Sequence, residues 1–256
     1  MVVFFRAEVA LLKRPLGFYR EGMHSTAETA PEPIPRTPDP ASAPLSATDR
    51  TRLRRGRHKQ REDRAELYAL LDEALFCHLG VIVDGAPRVL PTAHARIGDT
   101  LYLHGSTGAR SLHTDGEICV TVTLVDGLVL SRSAFNHSVN HRSAMVYGRP
   151  RTVTDPDESM AAVRALTEQI VPGRWEEVRA PDRKEMAATR VLALSLAEAS
   201  VKVRTGPPGD DERDMDLDVW AGVVPVRQVY GEPEPDPQLK AGIGIPHYLG
   251  EHRPPS

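Results

Sequence analysis

The chain has 256 residues, of which 40% are hydrophobic, and its 32 basic and 35 acidic side chains give a formal net charge of −3. When the 19 glycines are counted in place of the 6 tyrosines, the apolar fraction approaches that of ordinary globular proteins, which excludes a fully disordered chain. The near-neutral charge argues against a nucleic-acid partner, and the lack of an 18-residue apolar run argues against a membrane span.

Prolines are concentrated at the two ends of the chain. Of the 22 prolines, six fall in residues 31–44 and six in residues 232–256. Such clusters are typical of irregular segments that flank a compact middle. We therefore predict a disordered N-terminal extension at 1–50, a folded domain at 51–230 and an irregular, proline-rich C-terminal tail at 231–256.

A helix is the first predicted element of the folded domain. Leu67, Leu70, Leu71 and Leu75 recur at the spacing of one helix face, beginning near Asp63.

Short strands follow the helix. Strands are predicted over residues 77–83, 87–96, 100–104, 118–125, 128–135 and 143–154, helices over 155–170 and 182–188, and closing strands over 191–203 and 219–226. Asp84-Gly85 and Asp126-Gly127 each predict a hairpin, because Asp-Gly is among the strongest signals for a two-residue turn. Short strands joined by tight turns favour an antiparallel barrel or sandwich.

The two cysteines point to a reducing compartment. Cys77 and Cys119 both lie in apolar runs and have neither the number nor the spacing of a disulfide framework or a zinc site. Reduced, buried thiols are the expected state, so we predict a soluble, cytoplasmic protein.

Small polar residues follow the predicted strand at 100–104. The turn over 105–111 contains Gly105, Ser106, Thr107 and Gly108, with Arg110 shortly after them. Hydroxyls, backbone N–H groups and an arginine fork suit a phosphate, although turns of this composition also serve as structural caps.

A second polar cluster spans residues 136–143. His137 and His141 are four residues apart, a spacing that suits a metal ion only on a helix, and strands are predicted on either side. No metal site is therefore expected. Either histidine can instead serve as an acid, a base or an axial haem ligand. Trp220 is the third feature, and it is either a core anchor or a flat surface for a planar ligand.

These features occur in the order in which they occur in a known family. The chain resembles the pyridoxamine 5'-phosphate oxidase-like, flavin-nucleotide-binding split-barrel proteins, and most of all their nitroimidazole-resistance-like branch. The resemblance covers residues 52–250. The matching segments are Leu71-Asp72-Glu73, Cys77-His78-Leu79-Gly80, Asp84-Gly85, Val89-Leu90-Pro91-Thr92, Leu101-Tyr102-Leu103-His104-Gly105-Ser106, Asp126-Gly127-Leu128-Val129-Leu130, His137-Ser138, Asn140, Arg142-Ser143, Pro172-Gly173-Arg174-Trp175, Val201-Lys202-Val203-Arg204 and Val219-Trp220-Ala221-Gly222.

The resemblance implies a mainly β, six-stranded antiparallel split barrel with peripheral helices. It implies a homodimer with FMN between the subunits, and a C-terminal tail that packs on the barrel. The residues implied to bind FMN are Arg88, Val89, Leu90, Pro91 and Thr92 at the isoalloxazine and ribityl chain, His104, Gly105, Ser106 and Arg110 at the phosphate, Arg142 and Ser143 from across the interface, and Trp220 near the ring.

Departures from the family pattern bear on the activity. The vitamin-making oxidases carry an Arg-x-His segment where this chain has Pro225-Val226-Arg227-Gln228, so pyridoxamine phosphate oxidation is not expected. The sequence favours an FMN-dependent oxidoreductase with a small-molecule substrate, with His137 and His141 as candidate catalytic residues. Two alternatives stay open: a haem-binding or haem-degrading split barrel, and a non-catalytic flavin carrier or sensor.

Overall fold

The computed structural model describes residues 44, 45 and 48–251. Most of the extension predicted at 1–50 therefore lies outside the described residues. Leu45 does not belong to an extension, because its backbone N–H donates to the carbonyl of Glu62 and its side chain lies in the hydrophobic core. The folded unit thus begins before residue 51. No described helix is long and apolar enough to cross a bilayer.

Ten strands and four α-helices form the described part of the chain. The strands are β1 (Gln60–Arg61), β2 (Phe76–Val83), β3 (Ala86–Ile97), β4 (Thr100–Ser106), β5 (Ile118–Leu130), β6 (Ser138–Gly148), β7 (Arg151–Thr152), β8 (Thr189–Ser195), β9 (Ala199–Arg204) and β10 (Gly222–Pro225). The helices are α1 (Arg64–Glu73), α2 (Pro156–Ile170), α3 (Arg183–Ala187) and α4 (His247–Glu251).

The strands form one antiparallel sheet. Their order is β1-β9-β6-β5-β2-β3-β4-β8-β7, and β10 pairs with β5 outside this path. Residues of β4 and β8, near one end of the order, share a hydrophobic core with residues of β6 and β9, near the other end. The sheet therefore curves around this main core without closing. This confirms the predicted mainly β split barrel, although the sheet has ten strands instead of six. The predicted strand at 191–203 is divided into β8 and β9, and the predicted strand at 143–154 overlaps β6 and β7.

Helix α1 packs against the inside of the curved sheet. The carboxylate of Asp63 caps the helix by accepting a 2.8 Å hydrogen bond from the backbone N–H of Ala65. Leu67, Leu70 and Leu71 are buried in the core, as their spacing predicts. Each buried leucine contributes roughly 1.5–3 kcal/mol, so packing rather than intrinsic helix propensity holds α1 in place.

Helix α2 covers the outer face of the other half of the sheet. Asp155 caps its first turn and Pro156 occupies its first position, as expected. Its buried Ala162 packs with Tyr102 and Val191 in a second, smaller core. The sheet is therefore covered on both faces where β4 and β8 pair.

The two Asp-Gly pairs have different structures. Asp84 and Gly85 both have positive φ, 53° and 75°, and form the predicted turn between β2 and β3. The prediction for Asp126-Gly127 is wrong, because β5 continues through it with a shift in register after Val125. Pairing with β6 on one side and β10 on the other keeps the segment extended, and the pair forms a β-bulge instead of a hairpin.

Strands β3 and β4 separate part-way along their length. Residues 94–97 of β3 pair with residues 100–103 of β4. Beyond that point, residues 86–93 of β3 pair only with β2, and residues 104–106 of β4 pair only with β8. We call the opening between these two segments the split.

Candidate functional site

Two strand edges without a partner strand line the split. Neither 86–93 of β3 nor 104–106 of β4 has a strand on this side, so the backbone N–H and C=O groups that point into the split have no partner strand. The carbonyl of Ser106 is an exception, because it accepts from the N–H of Ala109. The structure therefore brings together the segments containing two sets of predicted residues, which are Arg88, Val89, Leu90, Pro91 and Thr92 on one side and His104, Gly105 and Ser106 on the other.

Side chains on the β3 edge alternate between the two faces of the sheet. Leu90 and Thr92 pair with the buried residues Leu79 and Cys77, so they lie on the inner face. Val89 lies on the outer face and is 69% exposed. Its exposure shows that this edge presents an apolar surface as well as backbone groups to the outside.

The turn over 105–111 closes one end of the split. Gly105 is closely packed, since a Cβ there would lie 2.7 Å from Cδ1 of Leu112. The hydroxyl of Ser106 accepts a hydrogen bond from the N–H of Gly108 at 3.2 Å. The backbone N–H of Thr107 donates to the carbonyl of Ala188 at 2.9 Å, which fastens the turn to the end of α3.

Arg110 is the cation at this turn. Its side chain is 70% exposed and forms an ion pair with Asp84, in the turn between β2 and β3. The pair spans the end of the split, because Asp84 precedes β3 and Arg110 follows β4. An exposed ion pair of this kind contributes about 0–1 kcal/mol, so a phosphate can displace the carboxylate at little cost.

Arg142 and Ser143 lie on opposite faces of β6. Ser143 pairs with Thr123 and Lys202, whereas the neighbouring Ala144 is buried in the core. Arg142 lies on the inner side and donates to the carboxylates of Glu73 and Asp126. These two carboxylates raise the pKa of the Arg142 guanidinium, and their hydrogen bonds occupy it within the chain.

Strand β6 is distant from the split within one chain. Three strand spacings separate β6 from β3 in the sheet, on the order of 14 Å along the sheet. Trp220 precedes β10, which pairs with β5, and its side chain is 66% exposed. The structure thus places Arg142, Ser143 and Trp220 apart from the other predicted flavin contacts of the same chain.

The two candidate histidines differ in their hydrogen bonding. Nδ1 of His137 lies 2.9 Å from the carbonyl oxygen of Ser133. A carbonyl only accepts, so Nδ1 carries a proton and donates this hydrogen bond. Nδ1 of His141 is buried without a partner among the described residues. Burial, and then Lys202 and Lys59, lower the pKa of His141.

Two features near the split were not predicted from the sequence, a buried histidine and a groove. His94 is fully buried in the last pair before β3 and β4 separate, and its Nε2 donates to the carbonyl of Leu71 at 2.9 Å. The second feature is a groove between α2 and α3 that His104 lines. The two helices were predicted, but only the folded chain shows that they enclose a groove.

Among the described residues, no three His, Cys, Asp or Glu side chains lie together as metal ligands.

Comparisons with known proteins give the chain a family. Residues 63–203 match the family model described as pyridoxamine 5'-phosphate oxidase. A search of curated proteins finds no match. The flavocytochrome Anf3 from Azotobacter vinelandii is 41% identical, with a TM-score of 0.77 over 82% of this chain and 99% of that one.

A second solved structure is similar over almost the same length. The FAD and heme binding protein from Mycobacterium smegmatis is 37% identical, with a TM-score of 0.72 over 77% of this chain and 98% of that one. The family match spans α1, the strands from β2 to β8, both sides of the split and the 105–111 turn. The chain therefore belongs to the pyridoxamine 5'-phosphate oxidase family.

Proposed function

We propose that this protein is a flavin-dependent oxidoreductase that binds its flavin nucleotide in the split. The observation that carries the proposal is the pair of unpaired strand edges, with a turn of hydroxyls and an arginine at one end. The similarity to a flavocytochrome and to an FAD and heme binding protein supports it.

Each part of the split suits one part of a flavin nucleotide. The β3 edge offers backbone donors and acceptors to the polar edge of the isoalloxazine, and the exposed Val89 offers apolar surface to its rings. Ser106, Thr107 and Arg110 offer hydroxyls and a cation to the phosphate. FMN and FAD share all of these parts, so the fit holds for either nucleotide.

The flavin supplies hydride or single-electron transfer when it is bound. The chain's own residues hold it, orient it and limit the access of water. His141 lies two residues before Ser143 on β6, so both side chains are on the same face of the strand and a second copy would bring them to the split together. We propose His141 as a candidate proton acceptor and leave the small-molecule substrate open.

A homodimer completes the proposed site. Phe76, Ile82 and Val89 lie on the outer face of β2 and β3 and are 61%, 57% and 69% exposed. An exposed apolar sheet face of this kind marks an interaction surface. A second copy packed on this face would bring its own Ser143 and Trp220 toward the split, and these residues lie away from the split within one chain.

A haem site is a second candidate function, which the geometry of His137 favours. Histidines that ligate metals usually donate their other ring nitrogen to a carbonyl or carboxylate. Nδ1 of His137 does so toward Ser133, and this leaves Nε2 available on an exposed ring. The neighbouring Phe135 is 92% exposed, which offers apolar surface for a porphyrin. His94 also donates to a carbonyl, but its ring is fully buried and cannot reach a porphyrin.

The absorption spectrum of the purified protein tests both functions. Flavin bands that persist through gel filtration and are released by acid are the expected result. A Soret band that disappears in His137→Ala but persists in His113→Ala is expected for haem. A protein without flavin bands that takes up neither FMN nor FAD would contradict the flavin proposal. Flavin that NAD(P)H and artificial donors all fail to reduce would instead identify a carrier.

A further inference from the structure

Two short segments of the chain carry concentrated and opposite charge. Residues 50–64 contain eight arginine or lysine side chains and two carboxylates. Residues 210–218, in the loop between β9 and β10, contain six carboxylates and one arginine. The chain as a whole has a formal net charge of only −3, so both concentrations are local. We call residues 52–59 the basic segment and residues 210–218 the acidic loop.

The guanidinium groups of the basic segment are available to a partner. Four of them are exposed, and none pairs with a carboxylate among the described residues: Arg52, Arg54, Arg55 and Arg57. Arg50, just before them, donates instead to Glu198. The backbone of the segment is held in place, because the N–H of Leu53 donates to Oε1 of Gln60 at 2.9 Å and a single 3₁₀ turn at 57–59 lies against β9.

The carboxylates of the acidic loop are available in the same way. Four of them are exposed: Asp211, Glu212, Asp216 and Asp218. Asp211 forms a long ion pair of 3.7 Å with Arg213, and no described cation pairs with the other three. The start of the loop is fixed, because the buried carboxylate of Asp210 accepts from the backbone N–H and Nη1 of Arg132 at 2.9 and 2.8 Å. The loop therefore presents negative charge on a backbone that is held in place.

The basic segment adjoins the outer face of β6. Gln60 of β1 pairs with Lys202 of β9, and Lys202 pairs in turn with Ser143 of β6. Residues that pair directly across strands share a face, and Lys202 lies on the outer face because the neighbouring Val201 is buried in the core. Lys202 therefore joins the positive charge of the basic segment to the part of β6 that a second copy would bring to the split.

The acidic loop adjoins Trp220. Three apolar side chains of the loop and its end, Met215, Leu217 and Val219, alternate with the acids and are exposed, as Trp220 is. Exposed apolar side chains that stand together mark an interaction surface. The proposed homodimer also brings Trp220 toward the split of the other copy. Both charged segments therefore border surfaces that a second copy would cover.

We propose that the acidic loop of each copy binds the basic segment of the other copy in the homodimer. An isologous contact occurs twice in a two-fold dimer, so four exposed guanidinium groups meet four exposed carboxylates at each of two places. The proposal rests on the homodimer of the proposed function and adds the contact that selects a second copy, since complementary charge fixes register and speeds association. Because the second copy completes the proposed flavin site, flavin binding becomes sensitive to ionic strength.

Charge reversal in the full chain tests the contact. Arg54→Glu with Arg55→Glu makes the basic segment acidic, and Asp216→Lys with Asp218→Lys makes the loop basic. Each variant alone places like charges against each other at both contacts, so we expect the dissociation constant of its dimer to rise at least about tenfold. Sedimentation at low salt measures the constant, and circular dichroism verifies the fold.

The matched control is Arg183→Glu with Lys184→Glu. Both residues are exposed on α3, outside the two charged segments, and their substitution changes the net charge by the same amount as reversal of the basic segment. We expect dimerisation to change less than about twofold. If the dimer is too tight for sedimentation, exchange of fluorescently labelled subunits measures the same effects as dissociation rates.

Mixing the two charge-reversed variants distinguishes a contact between copies from a contact within one copy. In the mixed dimer, the acidic version of the basic segment faces the basic version of the loop, and the two unchanged segments face each other. Both contacts are then attractive, and we expect the mixture to recover the wild-type dissociation constant to within about threefold. High salt should weaken the wild-type dimer, because exposed charges are screened.

The outcomes separate this contact from the proposed function. If both variants dimerise like the wild type, or if their mixture recovers nothing, the charge contact is wrong while the flavin site stands. A wild-type protein that binds flavin as a monomer would contradict the homodimer itself. Binding of a single-stranded oligonucleotide that Arg54→Glu with Arg55→Glu abolishes, with dimerisation unchanged, would assign the basic segment to a polyanion instead.

Discussion

The two arginines that the sequence assigns to the cofactor have different surroundings. Arg110, at the split, is 70% exposed and held by a single carboxylate, that of Asp84. Arg142, on β6, is 34% exposed and held by two carboxylates from different elements, Glu73 and Asp126. One cation is thus available to a ligand, and the other already joins α1 to β5 and β6. The comparison teaches that a basic residue in a family motif serves a ligand only when the fold leaves it available.

Replacing Arg110 tests whether an exposed cation at the split binds the flavin phosphate, and we expect it to have the largest effect of the substitutions below. Arg110→Ala removes a charged hydrogen-bond donor from the phosphate, so we expect flavin binding to weaken by about 1.5–3 kcal/mol. The free energy of unfolding should change by less than about 1 kcal/mol, because the pair with Asp84 is exposed. Fluorescence titration and urea unfolding measure the two effects.

Arg213→Ala is the control for this variant, since Arg213 is 83% exposed in the loop between β9 and β10. An unchanged affinity in Arg110→Ala would show that the phosphate is held elsewhere.

Replacing Arg142 should lower the stability of the fold more than the affinity for flavin, the opposite of what we expect for Arg110. Arg142→Ala leaves Glu73 and Asp126 without their shared cation, and we expect the free energy of unfolding to fall by about 1–2 kcal/mol. Flavin affinity should change less than about threefold. A double-mutant cycle with Glu73→Gln measures the interaction energy between Arg142 and Glu73. A loss of flavin without a loss of stability would assign Arg142 to the cofactor instead.

Replacing His94 tests the point at which β3 and β4 separate, because His94 belongs to their last pair. Burial lowers its pKa below the ordinary 6.5, so the unfolded chain takes up a proton before the folded protein does. This contribution to stability is complete above about pH 6.5 and is lost as the pH falls below that value, by up to about 1.4 kcal/mol per pH unit. His94→Gln keeps a donor for the Leu71 carbonyl but cannot titrate. We expect the free energy of unfolding, measured between pH 7.5 and about 5, to fall less steeply with decreasing pH in the variant than in the wild type. Equal slopes in the two proteins would contradict this role of His94.

Replacing Asp84 should have the smallest effect, and it should strengthen flavin binding, whereas Arg110→Ala should weaken it. Asp84→Asn removes the carboxylate that competes with a phosphate for Arg110, while asparagine tolerates the positive φ of this turn. Flavin binding should tighten by about twofold to fivefold at low salt. Weaker binding would mean that the ion pair shapes the site rather than competing for it.

Local patterns along the chain predicted much of the fold. The leucine spacing of α1, the Asp84-Gly85 turn, and the Asp155 and Pro156 start of α2 all depend on neighbouring residues, and the structure confirms each. Asp126-Gly127 carries the same local signal as Asp84-Gly85. Its different structure comes from pairing with β6 and β10, which are distant in sequence.

The candidate site was predictable only in part. The residues of the 105–111 turn could be chosen from local composition, because hydroxyls, glycines and an arginine stand together after β4. Those of β3 could be chosen only through the family resemblance. The separation of β3 from β4 could not be predicted, because no local pattern shows that the two strands stop pairing after His94 and Leu103. The availability of Arg110 and the occupation of Arg142 depend on carboxylates at Asp84, Glu73 and Asp126, none of which a local pattern connects to them.

The central claim is that the 105–111 turn holds a flavin phosphate beside the split. Titration of the apoprotein with FMN and with riboflavin, which lacks the phosphate, tests it most directly. We expect FMN to bind at least about tenfold more tightly than riboflavin, and Arg110→Ala to remove most of that difference. Equal affinity for the two flavins, or a preference that survives in Arg110→Ala, would contradict the claim.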